Sequence, residues 1–101
     1  MKDEQIDLVF RAVAHPERRR ILKSLHEKPG QSLFEICTSS IASEGLALSR
    51  QTISQHLDAL HRAGLLETSW KGRTKLHSVN LNPLRTAIGI AMDHIAKKEE
   101  I

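Results

Sequence analysis

The chain has 101 residues, 40% of them hydrophobic, which allows one packed domain and excludes two independent cores. Its net charge of +3 permits an anionic partner without requiring one. The single cysteine, Cys37, excludes an internal disulfide and favours a reducing compartment. Because no run of about 18 apolar residues and no secretory signal occur, the sequence predicts a soluble, cytoplasmic protein with no membrane span.

Two amphipathic helices are predicted at the start of the chain. The first carries apolar residues at helical spacing over residues 3–14, at Ile6, Val9, Phe10 and Val13. Pro16 ends that helix and suits the first turn of the next one, with His15 as the capping residue and Pro29-Gly30 as the stop. The arginine triplet Arg18–Arg20 near this start favours a solvated, charged helix face.

The third and fourth helices are marked by capping signals. Ser32 and Glu35 match a capping box, which begins the third helix. The serines and the glycine of residues 38–47 indicate a loop or a broken helix end. Ser49 then begins a fourth helix, and Gly64 lies where a left-handed C-terminal residue is expected. The inner stripe of this helix consists of Ile53, Leu57 and Leu60.

The remaining sequence predicts a hairpin and a last helix. Over residues 66–81 the pattern has a period of two around Gly72, as in a two-stranded hairpin. Asn82-Pro83 repeats the start signal, and apolar residues keep helical spacing from Leu84 towards Ile101. We therefore predict a mainly α fold with a small β-hairpin. It is a single winged helix-turn-helix domain over residues 1–101, with the helix-turn-helix at 32–64 and the wing at 66–81.

The outer face of the fourth helix is unusually rich in hydrogen-bonding side chains, at Arg50, Gln51, Ser54 and Gln55. Arginine and glutamine can pair with base edges in the major groove of DNA. The free N–H groups beside Ser49 favour a phosphate, and Thr52 and His56 flank the patch within reach of the DNA backbone. An ordinary polar surface helix would explain the same stretch on its own.

The hairpin supplies the second half of a DNA footprint. Lys71, Arg73 and Lys75 are spaced two apart, which predicts that they project to one face around the glycine tip. A polar helix beside a basic hairpin predicts binding to an operator in double-stranded DNA. The alternatives are an interaction module that has lost DNA binding and a ligand- or redox-responsive repressor. No catalytic set is found, so the sequence does not indicate an enzyme.

The terminal helices, residues 1–14 and 84–101, carry apolar stripes wider than one small core needs. The sequence therefore predicts a homodimer, whose interface residues are Ile6, Val9, Phe10, Val13, Leu84, Ile88, Ala91 and Ile95. A two-fold dimer presents two recognition helices, about 34 Å apart or a multiple of that distance, to a palindromic site. The mechanistic hypothesis is repression by blocking polymerase, although activation is also compatible with the sequence.

The sequence resembles the ArsR family of bacterial winged-helix repressors over roughly residues 8–84. The resemblance lies in three segments, VFRAVAHPERRRILKSL, LSRQTISQHLDALHRAGLL and WKGRTKLHSVNLNPL. The resemblance implies a homodimer, joined by its first and last helices, that binds operator DNA. It puts Ser49, Arg50, Gln51, Thr52, Ser54, Gln55 and His56 on the family's recognition helix, and Lys71 and Arg73 at its wing. A hydrogen bond within the domain is the competing interpretation for His56.

The sequence departs from the family pattern in two places. Residues 38–47 form a longer connection than the family's short turn. The family's soft-metal sites need paired thiolates, whereas Cys37 stands alone. The family's other metal site uses acids and histidines of the last helix. Here the candidates are Asp93 and His94, which are adjacent and therefore point about 100° apart on a helix instead of converging on one ion. The chain is therefore assigned to a subgroup without the metal-sensing cysteine pair. No metal or cofactor is expected, and the sequence names no inducer.

Overall fold

The computed structural model describes residues 1–44 and 49–97, and the side chains of all of these except residues 40–44. Its elements in chain order are α1 (Asp3–Val13), α2 (Pro16–Glu27), α3 (Leu33–Glu44), α4 (Arg50–Arg62), β1 (Leu66–Lys71), β2 (Thr74–Val79) and α5 (Asn82–Ile95). The prediction of a mainly helical winged helix-turn-helix is confirmed. Within the described residues no helix is long and apolar enough to cross a membrane.

The capping signals of the sequence form the contacts expected of them. The Ser32 hydroxyl accepts from the Glu35 amide at 3.2 Å, and the Glu35 carboxylate accepts from the Ser32 amide at the same distance. The Ser49 hydroxyl accepts from the amide of Thr52 at 3.1 Å, which fixes the first turn of α4. At the other end of α4, Gly64 has a φ of 77°, and the Leu65 amide donates to the Leu60 carbonyl. This left-handed end turns the chain directly into the hairpin.

The core lies where all five helices meet the base of the hairpin, and α3 contributes the buried Ile36. The fully buried side chains of the core include Leu25, Ile53 and Leu60, and Ala87 brings α5 against this core. Val9 is only 1% exposed within a single protomer. The prediction that Val9 lies on a dimer interface is therefore wrong, because its side chain is already buried in the protomer's own core.

The hairpin is tied to the α2–α3 turn at its base. Gln31 and His77 form a two-way backbone bridge, with N···O distances of 3.0 and 2.8 Å. The His77 ring nitrogen Nδ1 lies 3.0 Å from the same Gln31 carbonyl. Both side chains are buried, and the Gln31 amide nitrogen donates to the carbonyls of Ser24 and Lys28. These bonds fix the hairpin relative to the helices.

Four helix ends differ from their predicted positions. α3 continues to Glu44 through most of the predicted loop, and residues 45–48 lie outside the described part. α5 begins at Asn82 with Leu81 as its capping residue, and the Asn80 side chain accepts a hydrogen bond from the Asn82 amide at 3.1 Å. α1 ends at Val13, one residue early, and α5 ends at Ile95. The predicted continuation of α5 over residues 98–101 lies outside the described residues.

Candidate nucleic-acid interface

α4 presents a rigid polar face to solvent. Ile53 and Leu60 are 0% exposed and Leu57 is 6% exposed, which holds one side of the helix in the core. The four side chains predicted to read bases are all exposed along its first two turns, at Arg50, Gln51, Ser54 and Gln55. Ser49, which is also exposed, caps the N-terminal end of this face. The helix is thus anchored on one side and free to hydrogen-bond on the other.

His56 lies on a different side of α4, against the start of α2. Its Nδ1 accepts a hydrogen bond from the Arg18 Nε at 3.1 Å, and its ring centroid lies 6.3 Å from that of His15. Partial burial lowers the pKa of His56 below its usual 6.5, and the Arg18 and His15 charges lower it further. This geometry matches the competing interpretation, a hydrogen bond within the domain.

Thr52 is similarly occupied within its own helix. Its hydroxyl lies 2.8 Å from the Ser49 hydroxyl, and its side chain is half-buried. Of the seven residues assigned to the recognition helix, Thr52 and His56 are the two that are half-buried, whereas Ser49 is exposed although its hydroxyl caps the helix. Five remain exposed for an external partner: Ser49, Arg50, Gln51, Ser54 and Gln55.

The arginine triplet of α2 does more than form a solvated face. The Arg19 guanidinium donates to the Val13 carbonyl at 2.7 Å, and Arg18 reaches the Arg11 carbonyl at 3.5 Å. These carbonyls belong to the last turn of α1, where the helix dipole attracts cations, and the Arg11 carbonyl also accepts from the Ala14 amide at 3.3 Å. Arg20 pairs with Glu17 at 3.1 Å. Sequence reasoning missed this positioning role, although arginines placed shortly after a helix end were an available signal.

The hairpin cations do not share one face, which corrects the prediction for Lys71, Arg73 and Lys75. Lys75 lies opposite Trp70, whereas Lys71 lies opposite Thr74, and opposite residues of an antiparallel pair point to the same face. Gly72 and Arg73 form the two-residue turn, with a φ of 62° at Gly72. The turn interrupts the period of two, so Lys71 and Lys75 project to opposite faces.

An open groove of about 720 Å³ runs between the start of α3, α4 and one face of the hairpin. We call it the α4–hairpin groove. It brings together residues that are distant in sequence: Phe34, Arg50, Ser54, Trp70, Arg73 and Lys75. Among the described residues of its lining the acidic side chain is Asp58, which pairs with Arg62 at 3.2 Å. The groove therefore joins the N-terminal end of the polar helix face to two hairpin cations.

The residues considered for metal binding do not form a cluster. Cys37 is half-buried and unoxidised, and Asp93 and His94 are exposed on α5. In residues 1–44 and 49–97, no group of three or more histidine, cysteine or acidic side chains is arranged to hold a metal ion.

This fold and this surface define a DNA-binding helix-turn-helix protein, a class to which comparison with known proteins also assigns the chain. Residues 13–69 match the family described as "Helix-turn-helix domain". An uncharacterized HTH-type transcriptional regulator of Bacillus subtilis, YuzN, is 33% identical over 82 residues, which cover 81% of this chain and 89% of that protein. The transcriptional repressor SdpR of Bacillus subtilis is 32% identical over 89 residues, covering 88% and 91% of the two chains.

Similar solved structures identify the family within the helix-turn-helix class. An ArsR-like transcriptional regulator from Rhodococcus sp. RHA1 is 30% identical, with a TM-score of 0.69 over 92% of this chain and 80% of that one. The crystal structure of another ArsR family regulator shares the fold, with a TM-score of 0.75, 21% identity, and coverage of 96% and 92%. The chain belongs to the ArsR family of helix-turn-helix transcriptional regulators. It is a transcriptional regulator and not an enzyme.

Proposed function

We propose that the chain is a homodimeric transcriptional repressor that binds a palindromic operator in the cytoplasm. The observation that carries the proposal is the exposed face of α4, beside a groove lined by Arg73 and Lys75. Arg50 and the two glutamines are the side chains suited to reading base edges, and Ser54 suits a base edge or a phosphate. Ser49, at the N-terminus of α4, suits a phosphate contact.

The dimer is supported by apolar surface on the terminal helices. Phe10 is 37% exposed, Ile88 47%, Met92 57% and Ile95 79%. Ile6, Val13, Leu84 and Ala91 are half-buried on the same two helices. Because soluble monomers rarely expose contiguous apolar patches of this kind, a second copy is the natural cover for these helices. A two-fold arrangement gives each operator half-site its own α4.

Repression is favoured over activation by one relative. SdpR, which is similar over 88% of this chain, is a transcriptional repressor. A dimer of this kind blocks polymerase by occupying an operator that overlaps the promoter.

The test is selection of bound sequences from a random pool of duplex DNA. We expect enrichment of a palindrome whose half-site centres lie about one helical turn, or a multiple of it, apart. The variant Gln51→Ala is selected in parallel. It should relax selection at one base position per half-site, because it loses on the order of 1–3 kcal/mol of binding free energy for the preferred base there. Failure of the wild type to enrich any sequence would contradict the proposal.

A further inference from the structure

Two aromatic side chains of the α4–hairpin groove are exposed to an unusual degree. The chain has only three aromatic residues, two phenylalanines and one tryptophan. Phe34 is 72% exposed and Trp70 is 66% exposed, and both line this groove. Leaving large apolar side chains in water forgoes the favourable free energy of burial. Their shared position indicates a contact surface rather than two unrelated exposed residues.

The surroundings of Trp70 restrict the chemistry of its partner. Trp70 lies opposite Lys75 on the groove face of β1, at the penultimate position before the turn. Arg50 and Arg73 line the same groove, whose acidic residue Asp58 is engaged by Arg62. Cations beside flat apolar side chains suit a chain that alternates phosphates with apolar sugar faces. An acidic protein segment would satisfy the cations but gives no reason for the groove to continue onto the base-reading face of α4.

We propose that the α4–hairpin groove seats one sugar–phosphate strand of the bound duplex, with Trp70 and Phe34 packed on its sugars. Arg73 and Lys75 then neutralise phosphates of that strand, and Arg50 stays free to read a base edge from the α4 side of the groove. The inference rests on the proposed function, since it assumes that a duplex is bound at α4. It adds an apolar, sequence-independent contact, which orients the hairpin on the strand while α4 reads the bases.

Trp70 is the only tryptophan, so its fluorescence reports on this contact directly. The probes are the selected duplex and an unrelated duplex of equal length at low salt. On titration with either, we expect the emission of Trp70 to change and its quenching by acrylamide to fall at least twofold. The control is the double variant Trp70→Phe/Ser69→Trp, which moves the fluorophore to the opposite hairpin face. Its quenching should remain nearly unchanged when DNA binds.

Affinity measurements separate this apolar contact from the ionic ones. Trp70→Ala should weaken duplex binding about tenfold, and Trp70→Phe should restore most of the loss. Because no charge is removed, the slope of log K against log salt should stay the same in both variants. Phe34→Ala should give a smaller loss of the same kind, and Ser69→Ala no loss. Trp70 is largely exposed, so circular dichroism should show an unchanged fold.

Labelled-duplex anisotropy distinguishes failure of this inference from failure of the proposed function. If the wild type binds duplex while Trp70 stays fully accessible to acrylamide, the groove does not seat a strand. Equal affinities of Trp70→Ala and wild type would overturn the inference in the same way, with DNA binding intact. Equal protection of tryptophan at positions 69 and 70 would also overturn it, since the groove face would not be distinguished. If no duplex binds at all, the proposed function and this inference fall together.

Discussion

At the scale of single residues, Arg18 holds three helices in one arrangement. From α2 it donates to the Arg11 carbonyl at the end of α1 and to the His56 Nδ1 on α4. The bond to His56 requires a free lone pair on that nitrogen, and therefore a neutral imidazole ring. His56 is thus better understood as a residue that positions α4 than as one that touches DNA.

The lowered pKa of His56 makes this contact sensitive to pH. In the unfolded chain His56 regains an ordinary pKa near 6.5, so below that pH the unfolded state binds the proton more readily than the folded state. Stability should therefore fall as the pH is lowered from about 7.5 to about 5.5. Arg18 and His15 oppose protonation of His56, whereas Glu17 favours it.

Thermal unfolding at several pH values provides the measurement. His56→Gln should reduce the difference in melting temperature between pH 7.5 and 5.5, because it removes the titrating ring. The matched control is His26→Gln, since His26 is exposed on α2, and this variant should keep the wild-type pH dependence. If His56→Gln also keeps it, protonation of His56 does not control the contact with Arg18.

At the scale of elements, the hairpin illustrates what the sequence could and could not predict. A period of two, a glycine and the flanking charges were enough to predict a hairpin over residues 66–81, as observed for Leu66–Val79. The faces of Lys71 and Lys75 were predicted wrongly, because they depend on whether the turn contains two residues or three. A shift of one residue in the pairing moves a side chain to the other face.

Contacts between distant segments were likewise beyond the reach of local patterns. Capping boxes and apolar stripes depend only on residues close together in the sequence. These local patterns predicted most helix starts and the polar face of α4. The bond between Arg18 and His56 joins residues 38 positions apart, and that between Gln31 and His77 joins residues 46 apart. Neither pair has a local signature, so the groove that these contacts help to shape was not predicted from the sequence.

The two faces of the hairpin predict different ionic behaviour for its cations. Lys75→Ala and Arg73→Ala should each lower the slope of log K against log salt by about one unit, because each removes one phosphate contact. Lys71→Ala is the matched control on the opposite face and should leave the slope nearly unchanged. Binding titrations between about 50 and 200 mM salt would measure this. A slope lowered equally by Lys71→Ala would contradict the assignment of faces.

At the scale of the whole molecule, the apolar surface and the polar surface belong to different elements. The exposed apolar residues of α1 and α5 surround a second groove, of about 470 Å³, whose lining includes Phe10, Val13, Leu84 and Ile88. The proposed DNA footprint lies on α4 and the hairpin. This division allows two copies to associate through their terminal helices while both footprints stay open to one duplex. A mutation on the terminal helices should therefore weaken dimer association without altering the DNA-binding face of either copy. Operator affinity should still fall, because it depends on dimer formation.

Ile95→Glu tests that linkage with little risk to the fold, since Ile95 is 79% exposed in the protomer. A charge in a covered apolar interface is costly, so the dimer dissociation constant should rise at least tenfold in sedimentation experiments. Operator affinity should fall with it, because each half-site then loses the effective concentration that its partner provides. Phe34→Glu places the same charge on the DNA-facing groove and should leave the dimer intact. If Ile95→Glu remains as dimeric as the wild type, the end of α5 takes no part in the interface.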